Sequence, residues 1–292
     1  MAIDPKTSRQ WNFPYIVIPR LPEKHTHTFI ILSDGAPDIR KFGRTYLKHT
    51  EQDKDHPTAR FVFLSARRTN KVRSELRVTW ERWVGPPGSS YEWCVEGDPN
   101  PEGLEDSCIY VNNVVFAEAE ILKKTGLATK NFGFDRIVLG GYGDAAAVGL
   151  WALLGGSVPE QLAGFLGLDP VLPCPVGFKG TDPTHMYDDL NLFQETLGND
   201  LLRPPEYDGE VCTTYKYLIT TPVFLGYGSM KGKNPESYSK LHKILTDGLG
   251  MEVSLCESAN FSEGVWPREF HAMRDLKSQM SDFLIKKVQV PF

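Results

Sequence analysis

The chain has 292 residues, of which 41% are hydrophobic and 24% are charged, and this composition is ordinary for a globular protein. The length lies near the upper size for one hydrophobic core, so we predict a single domain over residues 1–292. The net charge is −5, and no block of like charge is long enough for a nucleic-acid footprint, so we expect no nucleic-acid partner.

The N-terminal segment has no basic start followed by a sustained apolar run, and the chain contains no stretch of about 18 apolar residues. We therefore expect a cytoplasmic protein without a membrane span. The five cysteines are widely spaced and include no C-x-x-C pair, which is typical of reduced structural thiols and gives no sign of a metal site. We expect no cofactor, and the sequence leaves a homodimer open.

Short apolar runs alternate with helix-like segments along the chain. The runs predict strands at 26–32, 59–64, 135–141, 162–168, 221–227 and 251–257. Helices are predicted at 112–126, 145–155, 234–250 and 270–288. Most strand runs are continuously apolar, as in strands covered on both faces. The alternation therefore predicts an α/β fold with a mostly parallel, doubly wound sheet.

Two long segments, 84–108 and 173–214, interrupt this alternation. The first is rich in glycine, proline and acidic residues, and the second contains one short helix-like stretch. Because both lie between core elements, we interpret them as insertions over the rim of the sheet rather than as linkers between domains.

The segment DRIVLGGYGDAAAVGLWALL, which ends at Leu154, joins a buried strand to an apolar helix by a glycine turn. A strand-turn-helix unit of this kind carries the nucleophile in α/β-hydrolases, but that position holds Gly143 here. In the simplest interpretation, the unit is a plain tight turn whose Asp144 caps the helix.

A third interpretation is nucleotide binding, because Gly141, Gly143 and Ala146 also satisfy G-x-G-x-x-A between a strand and a helix. Asp169 ends the next strand, where a ribose-binding acid could lie. It lies somewhat beyond the usual spacing, however, and Asp144 would bring negative charge towards a pyrophosphate.

The turn and the segments on both sides of it match the motifs of one known protein family. The turn itself is similar to I-V-L-G-G-F-S-Q-G-G-A, and TPVFLGYGSMKGKNP is similar to P-I-L-x-x-H-G-x-x-D-x-x-V-P. ARFVFLSARRTN is similar to a second core strand with its following loop. In sequence order, these segments resemble the acyl-protein thioesterase, carboxylesterase and lysophospholipase family over most of residues 28–288. The resemblance implies an α/β-hydrolase fold with a cap formed by the two insertions.

The resemblance also implies that the catalytic triad is lost. Gly143 replaces the serine, Lys231 falls on the aspartate position, and Phe270 falls on the histidine position with His271 beside it. No side chain remains to attack an acyl carbon, and a cation replaces the carboxylate that orients the imidazole. The implied oxyanion strand end carries Asp34, whose charge would oppose an oxyanion. We therefore do not expect an ordinary serine hydrolase, and whether the chain is an enzyme stays open.

The candidate site residues cluster at the predicted carboxyl edge of the sheet. We take Asp144, Lys231 and His271 as catalytic candidates because each could donate, accept or carry a proton or charge. Candidates for lining a ligand pocket are Ser33, Asp34, Trp80, Tyr142, Gly143, Tyr227 and Trp266.

His25 and His27 lie on one face of an incipient strand, which would be half of a metal site. No third ligand is evident in the sequence, so we predict no metal and interpret the two histidines as a surface pair.

Taken together, these features predict a repurposed, non-hydrolytic member of the fold. It would bind a largely apolar small molecule and could guide its cyclisation, isomerisation or elimination. The main alternative is a catalytically silent pseudohydrolase with a binding or regulatory role. Nucleotide binding and residual esterase or thioesterase activity are lesser alternatives.

Overall fold

A computed structural model describes most of the core of the chain. The described residues are 14–33, 38–65, 101–126, 132–155, 160–170, 184, 192, 219–228, 235–258 and 270–291.

The described core is built on one seven-stranded sheet with the order β1-β3-β2-β4-β5-β6-β7. The strands are β1 (Tyr15–Val17), β2 (His27–Ser33), β3 (Ala59–Ser65), β4 (Ile137–Tyr142), β5 (Gly164–Leu168), β6 (Val223–Gly228) and β7 (Val253–Ser258). Only the short edge strand β1 is antiparallel to its neighbour, and the other five pairings are parallel. The predicted mostly parallel sheet is confirmed.

Helices cover both faces of this sheet. They are α1 (Ile39–Thr50), α2 (Gln52–Asp55), α3 (Pro101–Lys124), α4 (Asp144–Leu154), α5 (Pro235–Lys243) and α6 (Phe270–Phe283), with π-helical turns at Ile244–Gly248 and Leu284–Val288. One apolar core contains residues of α3, α4 and α5, and a second core on the opposite face contains residues of α1 and α6. Because both faces are covered, β2 and β4 are buried at every position.

Helix α1 is an element that the sequence pattern did not predict. It begins after Asp38, whose side chain accepts hydrogen bonds from the backbone N–H groups of Arg40 at 2.9 Å and Lys41 at 3.1 Å. Phe42 and Tyr46, one turn apart, pack into the core. Polar residues dominate the rest of the helix, so its apolar stripe is narrow and easily overlooked.

Helix α3 is longer than predicted. It begins at Pro101, so residues 101–108 of the proposed insertion 84–108 are part of this helix. The expected start at residue 112 was wrong because the glycine and acidic residues near the start concealed the helix. The rest of 84–108 and nearly all of 173–214 lie outside the described residues, so the cap stays a prediction.

Among the helices that the structure describes, none is long and apolar enough to cross a membrane.

Candidate functional site

The turn between β4 and α4 has an unusual backbone. Gly143 has φ 56° and ψ −128°, a conformation that residues with a side chain rarely adopt. Its backbone N–H donates to the carbonyl of Leu168 on β5 at 2.9 Å, which fixes the turn against the neighbouring strand. Glycine therefore stands where the chain reverses sharply from strand to helix at the carboxyl edge of the sheet.

Strand β4 also packs unusually closely on α4. A Cβ atom on Gly141 would lie 2.8 Å from the backbone nitrogen of Ala146, closer than real Cβ contacts. Ala145 and Ala146 are fully buried, so the small side chains expected there let the helix approach the strand. The turn thus has the backbone and the close packing of a nucleophile elbow, and it lacks the nucleophile.

The structure places three of the predicted site residues on strands that end at this edge. Ser33 ends β2 and is fully buried, and the register pairs its preceding residue, Leu32, with Gly141. Tyr142 ends β4 with 8% of its surface exposed. Tyr227, which is 3% exposed, lies two strands away on β6. Tyr142 packs into the core that contains α1 and α6, and Tyr227 packs into the core that contains α4, so the two tyrosines lie on opposite faces of the sheet.

The remaining predicted site residues are described in part or not at all. Asp144 is the first residue of α4 and His271 the second residue of α6, but both side chains lie outside the described part of the chain. Asp34, Trp80, Lys231 and Trp266 also lie outside the described residues. Their assignment to the site stays a prediction.

The sequence pattern did not place Asp169 among the site residues. This aspartate directly follows β5, is 2% exposed and has φ 52°, an uncommon backbone conformation for a residue with a side chain. Its backbone N–H donates to the carbonyl of Gly226 at 2.7 Å. The sequence signal was present, because the apolar strand run ends in this acid, but it was weighed only as a ribose ligand.

A second polar group lies at the opposite, amino-terminal edge of the sheet. His25 and His27 are 6% and 8% exposed, so the interpretation as a surface pair was wrong. The His25 ring nitrogen Nε2 lies 3.0 Å from the Thr28 hydroxyl, which donates to Glu118 at 3.3 Å. Arg60 donates to both oxygens of Glu118, at 2.9 and 3.2 Å. A buried hydrogen-bonded network therefore joins β2 and β3 to α3.

Burial controls the protonation of these histidines. Loss of solvent, and then the charge of Arg60, lowers the pKa of His25 to about 4. Loss of solvent, followed by the charge of Arg136, lowers the pKa of His27 to about 3. Both rings are therefore neutral in the folded protein near pH 7. Within the described part of the chain, no group of three or more histidine, cysteine or acidic residues could hold a metal ion.

Comparison with known proteins finds similar structures but no match by sequence. No protein-family model matches the chain, and no curated protein matches it in sequence. The chain is similar to acyl-protein thioesterase 2 of Zea mays, with a TM-score of 0.57 and 14% identity over 94% of this chain and 100% of that one. It is also similar to esterase PE8, with a TM-score of 0.53 and 13% identity over 91% and 98% of the two chains.

A third similar structure is YahD with malic acid, at a TM-score of 0.53 and 14% identity over 92% of this chain and 98% of that one. Such low identities establish the fold alone. The chain has the α/β-hydrolase fold, as predicted, and its structural neighbours include the thioesterases and esterases that its sequence resembles. The turn at Gly143 joins a strand to a helix at the carboxyl edge of the sheet, the kind of turn on which α/β-hydrolases carry their nucleophile.

Proposed function

We propose that the chain is a repurposed, non-hydrolytic protein of the α/β-hydrolase fold that binds a largely apolar small molecule. In this proposal, the ligand lies above Gly143, and the protein guides its cyclisation, isomerisation or elimination. Placed polar groups and the shape of the site would supply the chemistry, since positioning alone can lower a barrier substantially.

The conformation of Gly143 carries the proposal. The turn keeps a backbone of φ 56° and ψ −128° at the elbow, but it offers no atom that could attack an acyl carbon. A fold that retains the elbow without the nucleophile retains a place for a ligand at the carboxyl edge of its sheet. Ser33, Tyr142 and Tyr227 carry buried hydroxyl groups on strands that end at the same edge, within a largely apolar surrounding.

The non-hydrolytic part of the proposal is tested with fluorophosphonate labelling and with cleavage of p-nitrophenyl butyrate. A serine esterase serves as the positive control. We expect neither labelling nor cleavage by the wild-type chain or by Gly143→Ser, because the other positions of the implied triad are also replaced. Rapid ester cleavage by the wild-type chain would refute the proposal, and cleavage gained by Gly143→Ser would refute the loss of the rest of the triad.

The ligand-binding part is tested with N-phenyl-1-naphthylamine, a neutral apolar dye that fluoresces when it leaves water. We expect saturable binding to the folded protein and a stabilisation that grows with dye concentration. If circular dichroism shows that the protein is folded and the dye does not bind saturably, the proposal is contradicted.

The alternative is a catalytically silent binding or regulatory protein, and the same lost nucleophile favours it. Once a substrate is known, single substitutions of Asp144, Lys231 or His271 separate the two functions. In the enzyme, these changes abolish turnover while ligand binding persists. In the silent protein, they only shift the affinity.

A further inference from the structure

Asp169 lies in the same row of the sheet as the elbow glycine. The register pairs Tyr142 on β4 with Leu168 on β5, so Gly143 and Asp169 are the next residues along two adjacent strands. Leu168 in turn pairs with Gly226 on β6, and the N–H of Asp169 donates to the carbonyl of Gly226. Neighbouring strands lie about 4.8 Å apart, so the Asp169 backbone is within about 5 Å of the elbow.

Tyr227 continues this row on the other side of Asp169. It follows Gly226 on β6 and packs into the apolar core on the α4 face of the sheet. Asp169 itself follows the end of β5 and is no longer extended, so the row places its backbone beside Gly143 and Gly226. The row therefore places an aspartate between the elbow and a buried tyrosine.

The backbone at this position also resembles that of a functional site. Gly143 and Asp169 both have positive φ, 56° and 52°, and they lie side by side at the ends of adjacent strands. Glycine adopts this conformation freely, but an aspartate does so at a cost in stability, and such residues cluster at active sites and ligand clamps. Asp169 is 2% exposed, so its carboxylate lies out of bulk water one strand away from Gly143.

We propose that the Asp169 carboxylate is the polar anchor of the ligand above Gly143. The inference rests on the proposed function and specifies its ligand class: an apolar molecule with a hydroxyl or amine head group. A carboxylate only accepts hydrogen bonds, so it selects a head group that donates. A second carboxylate there would be desolvated beside a like charge, so the site disfavours fatty-acid-like ligands.

The test measures displacement of N-phenyl-1-naphthylamine by decylamine, decanol and decanoate, which share one alkyl chain and differ in head group. Assays at 150 mM NaCl screen the general negative charge of the protein. We expect the wild-type chain to bind decylamine and decanol ~10-fold or more tightly than decanoate. In Asp169→Asn, the difference between decylamine and decanoate falls to ~3-fold or less, because the amide removes the charge at nearly constant shape.

Glu257→Gln is the matched control. Glu257 pairs with Tyr227 in the same row but is exposed on β7, so its loss removes one charge and leaves the head-group preference unchanged. Circular dichroism checks that each variant is folded. If Asp169→Asn does not fold, the order in which the wild-type chain binds the three ligands tests the assignment of Asp169.

Equal or tighter binding of decanoate by the wild-type chain overturns the assignment of Asp169. A preference that survives in folded Asp169→Asn also overturns it. The absence of any dye binding refutes the proposed function itself.

Discussion

At the scale of single residues, Gly143 gives the turn between β4 and α4 a backbone conformation that other residues adopt only at a cost. A serine in this turn must bear the cost of a positive φ, which natural sequences accept where the function needs it. Without that function, glycine relieves the strain and keeps the sharp reversal between β4 and α4. The sequence alone predicted the turn, because the strand and the helix on either side are strongly apolar. It also predicted that glycine suits the backbone conformation of this turn.

The first prediction concerns Gly143→Ala. We expect the free energy of unfolding to fall by about 1–3 kcal/mol, because alanine adopts this backbone conformation only at an energetic cost and glycine adopts it freely. Urea denaturation at pH 7.5 measures the change. Gly126→Ala is the control, since Gly126 also has a positive φ, 72°, but lies after α3 with open space around a new Cβ. We expect the free energy of unfolding of Gly126→Ala to fall by about 1 kcal/mol. An unchanged stability in Gly143→Ala would show that the turn does not have this conformation.

The backbone conformation and the neighbours of Asp169 could not be predicted from the sequence. The sequence showed an acid at the end of an apolar run, but neither its positive φ nor its register beside Gly143 can be read from one strand. Both depend on the pairing of β5 with β4 and β6, which is a property of the assembled sheet. Likewise, the pattern at His25 and His27 suggested exposure, because it does not reveal that α3 covers this edge with Glu118.

At the scale of elements, the Arg60–Glu118 ion pair connects α3 to the sheet. The Arg60 side chain on β3 is 17% exposed and that of Glu118 is 6% exposed, so solvent screens the pair only weakly. The same carboxylate accepts from Thr28 on β2. The helix is thereby tied to two strands at the edge opposite the elbow, which fixes its direction along the sheet.

The second prediction is that Glu118→Gln destabilises the fold by roughly 2–4 kcal/mol, since it leaves a mostly buried guanidinium without its countercharge. Glu120→Gln on the same helix is the matched control. Glu120 is 59% exposed and lies 3.6 Å from Lys123, and we expect a change below about 0.5 kcal/mol. Thermal and urea denaturation of both variants measure the difference. Equal effects of the two substitutions would contradict a structural role for the buried pair.

Most strands and helices were predicted from the sequence, but β1, α1 and the first turns of α3 were not. Strands β2 to β7 fall at the predicted positions, and α6 with its π-helical turn covers the predicted 270–288. Strand β1 is only three residues long, too short to give a period. Helix α1 was overlooked although its apolar residues, Ile39, Phe42, Tyr46 and Leu47, follow a helical spacing, because polar and charged residues outnumber them.

At the scale of the whole molecule, the two edges of the sheet have different properties. The carboxyl edge carries the sharp turn at Gly143, Asp169 and the buried tyrosines. The amino edge carries the buried histidines and the Arg60–Glu118 pair, which link strands to a helix. We interpret the first edge as the place of function and the second as a source of stability, an arrangement that is common in open α/β folds.

The third prediction is a loss of global stability in mild acid. The histidine pKa values are lower in the folded state than the ordinary 6.5, so the unfolded chain binds more protons as the pH falls below this value. The stabilisation is therefore complete above pH 6.5 and is lost as the pH falls towards 4 for His25 and 3 for His27. We expect a loss of roughly 2 kcal/mol per histidine between pH 7 and pH 5.

Urea denaturation at pH 7 and pH 5 measures this loss. His27→Gln removes one of the two groups, so the difference in unfolding free energy between the two pH values should shrink by about 2 kcal/mol. His242→Gln, at a half-buried position on α5, is the control for replacing a histidine outside the buried network. A wild-type stability that is the same at both pH values would contradict neutral buried histidines.

The central claim is our proposal that a ligand site lies above Gly143, where a serine hydrolase would carry its nucleophile. A crystal structure of the chain with N-phenyl-1-naphthylamine tests it most directly. The account predicts dye density at the carboxyl edge of β4 and β5, in contact with the Gly143 turn and close to Asp169 and Tyr227. Dye bound only at another surface, with no space open above Gly143, would contradict the claim.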